Sequence, residues 1–281
     1  MNRKTQISMA FNLLKGKRGI IFGALDERSI SWSVAEKCKE EGAEFVLTNA
    51  PIALRMGKIN SLAEKTGSIV IPADATSMED LENLISQSME KLGGKIDFVL
   101  HSIGMSPNVR KKKAYTDLNH DWFHKTIDIS AMSFHRLMQT LYKMDAMASG
   151  GSILTLSYMA AQRTFPDYSD MAEAKSMLES ITRSFGYHYG VKNGVRVNSI
   201  SQSPTMTTAG SGVGGFDAFF NYADQTAPLG NADSASCADY CVSLFSDLTR
   251  MVTMQNLYHD GGFSSVGISA KVMETFAGKE E

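Results

Sequence analysis

Seven short apolar runs alternating with stretches of helical periodicity constrain this chain more than any other feature. The runs are Gly19-Ile-Ile-Phe22, Phe45-Val-Leu-Thr48, Ile69-Val-Ile71, Phe98-Val-Leu-His101, Ile153-Leu-Thr-Leu156, Val195-Arg-Val-Asn-Ser-Ile200 and Val252-Thr-Met-Gln-Asn-Leu-Tyr258. Helical patterns fall near 30–41, 53–66, 78–92, 121–147, 171–191 and 233–246. Runs that are apolar throughout, rather than alternately apolar and polar, suit strands buried on both faces. The βαβα order then predicts an α/β, Rossmann-like doubly wound parallel sheet flanked by helices on both faces. No repeat, low-complexity tract or linker divides the chain, so residues 1–281 read as one domain.

Composition narrows the partners. Hydrophobic residues make up 43% and charged residues 21%, as in ordinary globular proteins. A net charge of −2 gives no bulk attraction to nucleic acid or to an anionic membrane surface. No apolar run approaches the roughly 20 residues of a membrane span. Residues 1–12 lack the apolar core of a secretory signal and read as a flexible extension. Cys38, Cys237 and Cys241 show no metal-like spacing and read as buried fillers in a cytoplasmic protein. No metal site is expected.

In open parallel sheets ligands bind beyond the carboxyl ends of the strands. The segment Ser157 to Lys175 leaves such an end, carrying Tyr158 and Tyr168 before a helical pattern that opens near Met171. If Tyr168 and Lys175 share one helix they lie nearly on one face, about 10 Å apart along its axis. An ammonium aimed at a phenol favours the phenolate, and it also binds sugar hydroxyls. Spacing alone fits surface aromatics beside a solvated lysine better than a catalytic pair.

Other strand ends add weaker signals. Gly23-Ala-Leu-Asp-Glu-Arg-Ser-Ile30 lacks the three-glycine dinucleotide fingerprint, yet a glycine turn with Ser29 near a helix N-terminus suits a diphosphate. A plain turn with a serine cap would look the same. Thr48-Asn49-Ala50 carries neither the acid that holds an adenosine ribose nor the arginine that holds a 2′-phosphate. Arg55 and Lys58 follow in a helical stretch that reads as solvated. Asp74 offers an acceptor for an adenine amino group or a helix cap. Gly104 permits close approach of backbone to a ligand. His101, inside an apolar run, reads as a core histidine. Ser203 to Phe220, rich in Gly, Ser and Thr, has the character of a substrate lid or of a bland surface loop. Arg110-Lys-Lys-Lys113 is the one basic cluster.

Together these residues resemble the short-chain dehydrogenase/reductases, and within them the bacterial enoyl-acyl-carrier-protein reductases. The common pattern of that superfamily is tyrosine, three residues, lysine. Here Tyr168 and Lys175 are separated by six, with Tyr158 ten positions upstream. Gly23-x5-Ser29-Ile30, His101-Ser-Ile-Gly104, Leu154-Thr-Leu-Ser-Tyr158, Val195-Arg-Val-Asn-Ser-Ile-Ser201 and His259-Asp-Gly-Gly-Phe263 are similar too, and the likeness runs from about Leu14 to Val266.

The resemblance implies site roles position by position. Tyr168 and Lys175 match the catalytic pair, with Lys175 on the nicotinamide ribose, and Tyr158 matches a second active-site tyrosine. Gly23, Ser29 and Ile30 match the diphosphate turn; Asp74 and Ala75 the adenine pocket; Ile103 and Gly104 the nicotinamide side. Thr205, Met206, Thr207, Thr208 and Ala209 match the segment over nicotinamide and pyrophosphate, with Thr205 where an aliphatic residue is usual. Ala50 stands where relatives carry a longer polar side chain, so its contact would come through backbone. Met105 and Ser106 fall at the acyl-binding mouth.

The implied activity is NADH-dependent reduction of a trans-2-enoyl thioester carried by acyl carrier protein, in a homotetramer, with residues 203–220 as the substrate loop. NADPH is the less expected cofactor. A keto-reductase would need the shorter tyrosine–lysine spacing. A non-catalytic dinucleotide sensor would not need both tyrosines and the lysine. Relatives carry basic residues early in the substrate-loop helix, where the carrier docks; here Val213-Gly-Gly-Phe-Asp-Ala-Phe219 has none.

Overall fold

The apolar runs form strands, and in the central ones successive side chains enter two different cores. In β1 (Arg18–Phe22), Ile20 and Phe22 join one core and Ile21 the other. The same alternation separates Val46 from Phe45 and Leu47 in β2 (Glu44–Thr48), and Val99 from Phe98 and Leu100 in β4 (Ile96–His101). Both faces are therefore dry, as a parallel sheet requires. With β3 (Ile69–Val70), β5 (Met147–Ser157), β6 (Arg196–Gln202) and β7 (Asn256–His259), the strands form one seven-stranded sheet in the order β3-β2-β1-β4-β5-β6-β7. Every neighbouring pair is parallel. The computed structural model describes residues 10–208, 210 and 215–277.

One face is covered by α1 (Ile30–Glu40), α3 (Ile59–Thr66) and α10 (Ser234–Phe245). The other is covered by α4 (Met78–Leu92), α7 (Ser133–Lys143) and α8 (Met171–Asn193). Shorter helices are α2 (Pro51–Met56), α5 (Pro107–Arg110), α6 (His120–Ile127), α9 (Phe216–Thr226) and α11 (Ala270–Met273). Cys38 on α1 and Cys237 and Cys241 on α10 are free, fully buried and packed into the same core. Strand order reverses between β1 and β4, and the crevice at that switch point is where the doubly wound fold places its ligand.

Several boundaries differ from the sequence reading. The helix expected over 53–66 is two helices, α2 and α3, because Gly57 breaks it with extended backbone. A Cβ at Gly57 would stand 2.6 Å from the carbonyl oxygen of Leu25, which also accepts the Lys58 N–H at 2.7 Å. The helix expected over 121–147 ends at Lys143, and Asp145 then takes φ 49° to turn the chain into β5. Between α6 and α7, Asp128–Met132 forms a π-helical segment, a device common beside functional sites. The seventh strand starts only at Asn256, because Met254 adopts φ 63° and breaks the pleat. Phe216 to Phe220 of the expected substrate loop belong to α9, and residues 209 and 211–214 lie outside the described residues. Of the expected extension, residues 1–9 lie outside them too; Phe11 N–H donates to Glu41 at 3.0 Å, so residues 10–12 are tied to the domain.

Candidate active site

A cavity of about 980 Å³ opens along the carboxyl ends of the strands. Its walls include Gly23, Ser29, Ile30, Ala50, Asp74, Ala75, Ile103, Gly104, Ser106, Tyr158, Tyr168, Lys175, Thr205, Thr207 and Thr208. The fold thus gathers at one site residues spread over most of the chain. Met206 does not line the cavity: its side chain is 57% exposed and turned outward. Ala209 lies outside the described residues.

The turn after β1 is shaped by contact. Gly23 has φ +94°, and a Cβ there would stand 1.9 Å from the carbonyl oxygen of Ser102, so only glycine lets the β1 and β4 ends approach. Ser29 precedes α1 but does not cap it, contrary to one sequence reading. Its Oγ instead accepts the N–H groups of Leu25 (3.1 Å) and Asp26 (3.2 Å), which closes the turn on itself. Among the described residues the N–H groups of Ile30 and Ser31 at the start of α1 have no backbone partner, the arrangement that receives a phosphate, while Trp32 N–H bonds the Ser29 carbonyl oxygen at 3.1 Å. At the end of β2, Asn49 donates to the carbonyl oxygen of Ala24 (3.1 Å) and accepts the N–H of Ala50 (2.9 Å), fixing Ala50 at the wall. Asp74 accepts the Thr76 N–H (2.9 Å) and hydroxyl (2.7 Å), while the cap of α4 is Ser77. Asp74 therefore does not cap α4, the alternative role its position offered.

Tyr168 and Lys175 do not share a helix. Tyr168 closes a 3-10 turn (Pro166–Tyr168), Ser169 takes φ 50°, and α8 begins at Met171. The helical-face geometry expected from their spacing is therefore replaced by a turn packed on the helix start. Lys175 is buried, and its Nζ donates to the carbonyl oxygen of Leu156 at 2.7 Å. Burial pulls its pKa down to about 8, against the opposing pull of Glu179. Burial pushes the Tyr168 phenol well above its ordinary value, with no counteracting influence from the lysine. Burial outweighs any acidification of the phenol by Lys175, whose ammonium is aimed at a carbonyl oxygen.

Tyr158 and Tyr168 stand with ring centroids 5.0 Å apart. Phe165 and Phe219 complete an aromatic wall at 5.2 and 6.3 Å from Tyr158. The Tyr158 hydroxyl is buried and has no hydrogen-bond partner among the described residues. Burial, then Tyr168 and Asp260, push its phenol far upward. Leaving such a group unpaired costs roughly 1–3 kcal/mol. It fits an acceptor on a bound molecule. Ser106, expected at the acyl mouth, is on the wall, but its hydroxyl donates to Asp170 at 2.6 Å.

His101 is a core histidine as read. Its ring nitrogens meet Thr155 Oγ1 (3.2 Å) and Ser133 Oγ (2.9 Å), and burial pulls it down to about 3. Sequence reasoning missed three other groups. Asp26 accepts the Thr208 hydroxyl at 2.6 Å, joining the β1–α1 turn to the segment after β6. Glu179, one helical turn beyond Lys175, accepts Ser157 Oγ (2.7 Å) and Gln162 Nε2 (2.9 Å) beneath the site; its i, i+4 spacing was the available signal. Asp170 left no signal beyond its place next to Ser169.

A doubly wound parallel sheet with tyrosine and lysine at the switch-point crevice defines a dinucleotide-dependent reductase of the short-chain dehydrogenase/reductase class. A family profile described as Enoyl-(Acyl carrier protein) reductase matches residues 23–264. Enoyl-[acyl-carrier-protein] reductase [NADH] 1 of Rhizobium meliloti (strain 1021) is 35% identical over 94% of this chain and 96% of its own. The FabI enzyme of Rickettsia bellii (strain RML369-C) is 36% identical over 92% and 98%. The crystal structure of a FabI–NADH complex from Alistipes finegoldii superposes with TM-score 0.93 at 63% identity, over 94% of each chain. The chain belongs to the enoyl-acyl-carrier-protein reductase family of oxidoreductases.

Proposed function

We propose that this protein reduces the C2=C3 double bond of trans-2-enoyl thioesters on acyl carrier protein, with NADH as reductant, in fatty-acid elongation. The observation that carries the reading is the Tyr158–Tyr168 pair, 5.0 Å apart, with a buried, unpartnered Tyr158 hydroxyl in a cavity wall shared with Lys175. The residues present fit the dinucleotide. Gly23, Ser29 and Ile30 would hold its diphosphate, Asp74 and Ala75 its adenine, Ala50 its adenosine side through backbone, and Lys175 its nicotinamide ribose. Ile103, Gly104, Thr205, Thr207 and Thr208 would flank the nicotinamide and pyrophosphate. Bound there, NADH supplies the hydride that reduces C3.

The chain's own residues then manage charge. Negative charge builds on the thioester carbonyl oxygen, and a preplaced donor stabilises it without reorganising water. Tyr168 is that donor. Burial pushes its phenol up, so it stays protonated and gives a hydrogen bond; the final proton at C2 comes from this phenol or from solvent. Tyr158 is the second donor and orients the thioester. The aromatic wall of Phe165 and Phe219, with Met105 and Ser106 at the mouth, seats the acyl chain away from water.

On this reading one reductase domain carries the whole reaction, with residues 203–220 as its substrate loop. A cytoplasmic location is supported by three free, buried thiols. A homotetramer would cover apolar side chains left exposed at Tyr187, Val191, Leu248 and Met251. The test is NADH oxidation followed with a trans-2-enoyl thioester beside a 3-oxoacyl thioester. Turnover is expected only with the first. Turnover only with the second would make the protein a keto-reductase, and none with either would favour a dinucleotide-binding scaffold.

A further inference from the structure

The mechanism above makes no use of Asp170, whose side chain is fully buried two residues beyond Tyr168. Asp170 precedes α8 yet does not cap it. Its oxygens turn instead to three donors from elsewhere in the chain. Oδ1 accepts the Ser106 hydroxyl at 2.6 Å. Oδ2 accepts Asn108 Nδ2 at 2.7 Å and lies 2.9 Å from Thr126 Oγ1, which shares its proton with the carbonyl oxygen of Trp122. Asn108 cannot flip away, because its own oxygen accepts the Asn119 N–H at 3.1 Å and its Nδ2 also donates to the Asn119 carbonyl oxygen.

Two consequences follow from this geometry. The carboxyl group joins the segment after β4, α5 and the end of α6 to the start of α8. Moreover, it stands on the far side of Ser169, whose φ 50° and ψ −140° are strained for a residue with a side chain. Such backbone persists only where its surroundings hold it on both sides. On one side is the Tyr168 turn, closed by Tyr168 N–H to the Phe165 carbonyl oxygen at 3.1 Å. On the other is Asp170. Without the anchor Ser169 would be held on one side only, next to the Tyr168 ring.

We propose that Asp170 is a positioning residue for the reduction: by holding Ser106, Asn108 and Thr126 against the start of α8, it fixes across Ser169 the direction in which Tyr168 presents its hydroxyl. This rests on the reading of Tyr168 as the donor to the thioester oxygen. A misplaced donor loses transition-state stabilisation while leaving cofactor binding intact.

The test compares Asp170→Ala and Asp170→Asn with the parent and with Tyr168→Phe. It measures kcat and KM for a trans-2-enoyl thioester, Kd for NADH by fluorescence titration, and Tm. Asp170→Ala is expected to lower kcat about tenfold while Kd for NADH changes less than about twofold. Asp170→Asn, which keeps an acceptor for Asn108, falls between. In the Tyr168→Phe background the same substitutions lower kcat no further, since the group they act through is gone. Parent-like kcat in Asp170→Ala overturns the inference. So does an equal fractional loss in both backgrounds, which would mark Asp170 as merely structural. Should Asp170→Ala fail to fold, Asp170→Asn is judged by the same two criteria. Parent-like kcat in Tyr168→Phe alone, by contrast, overturns the donor reading itself and the inference with it.

Discussion

Lys175 Nζ donates its hydrogen bond to the Leu156 carbonyl oxygen at 2.7 Å, across from β5 to α8. The ammonium is buried there and its pKa falls to about 8. Between that value and the ordinary lysine value of about 10.4, the unfolded chain binds a proton that the folded chain does not. The burial penalty is therefore present in full below pH 8 and disappears as pH rises through this window, so this group's contribution to stability increases with pH. In the proposed binding mode cofactor affinity should move the other way, because the ribose hydroxyls would lose a charged donor. Kd for NADH is expected to rise above pH 8, by up to about tenfold per pH unit, and Lys175→Arg should flatten the profile. A parent Kd constant from pH 7 to 10 would contradict this.

The two tyrosines should separate stability from activity. Tyr158→Phe removes a buried hydroxyl that has no partner among the described residues, so the protein should gain up to about 1 kcal/mol in stability while losing turnover. Tyr168→Phe should lower kcat by about 10²–10³-fold, the usual loss for one oxyanion donor, with NADH affinity retained. Urea unfolding and steady-state kinetics on both variants check this. A Tyr158→Phe variant less stable than the parent would show that its hydroxyl is paired after all.

Cofactor choice follows from the end of β2. Lys58 is paired with Glu27 at 3.1 Å, and Arg55 does not line the cavity. A 2′-phosphate would lie there without a cation, so kcat/KM should favour NADH over NADPH by about tenfold or more. Ala50→Arg, at the cavity wall, should narrow the ratio. Comparable efficiency with both cofactors in the parent would refute the argument.

Carrier docking is expected at the basic rim. Arg110, Lys111, Lys112 and Lys125 are exposed and form no ion pair among the described residues, whereas Lys113 is held by Asp117 at 3.0 Å. Arg110 and Lys125 also line the cavity. Steering of an acidic carrier protein by this rim acts on association and fades with salt. Replacing the four by glutamate should raise KM for the carrier-linked thioester about tenfold at low salt, with a smaller effect on the coenzyme A thioester. An unchanged carrier KM would move the docking surface elsewhere.

Much of this was legible in the sequence because a strand buried on both faces leaves an uninterrupted apolar run. The crevice residues could be placed because they follow those runs directly: Gly23 after β1, Ala50 after β2, Ile103 and Gly104 after β4. Effects that depend on distant contacts were not legible. Gly57 breaks a helix because Leu25, far earlier in the chain, needs the space. Tyr168 fell off the helix because Ser169 takes a conformation its residue type does not announce. Met206 sits in the right segment but is exposed and does not line the cavity, as its neighbouring threonines do. Asp170 was invisible for the same reason: its meaning lies in Ser106, Asn108 and Thr126, between 44 and 64 residues away.

The three cysteines at the α1–α10 seam give the protein a built-in clock. Burial pushes the Cys38 thiol far up, and Cys241 is raised by its hydrogen bond with Cys237 and by burial. The reactive thiolate is thus scarce and out of reach in the native state. Alkylating reagents should spare the folded protein and modify a thiol only when α1 and α10 part, so the labelling rate reports how often that seam opens. Ligands that hold the β1–α1 turn should slow the clock, which gives a measure of binding that needs neither substrate nor turnover.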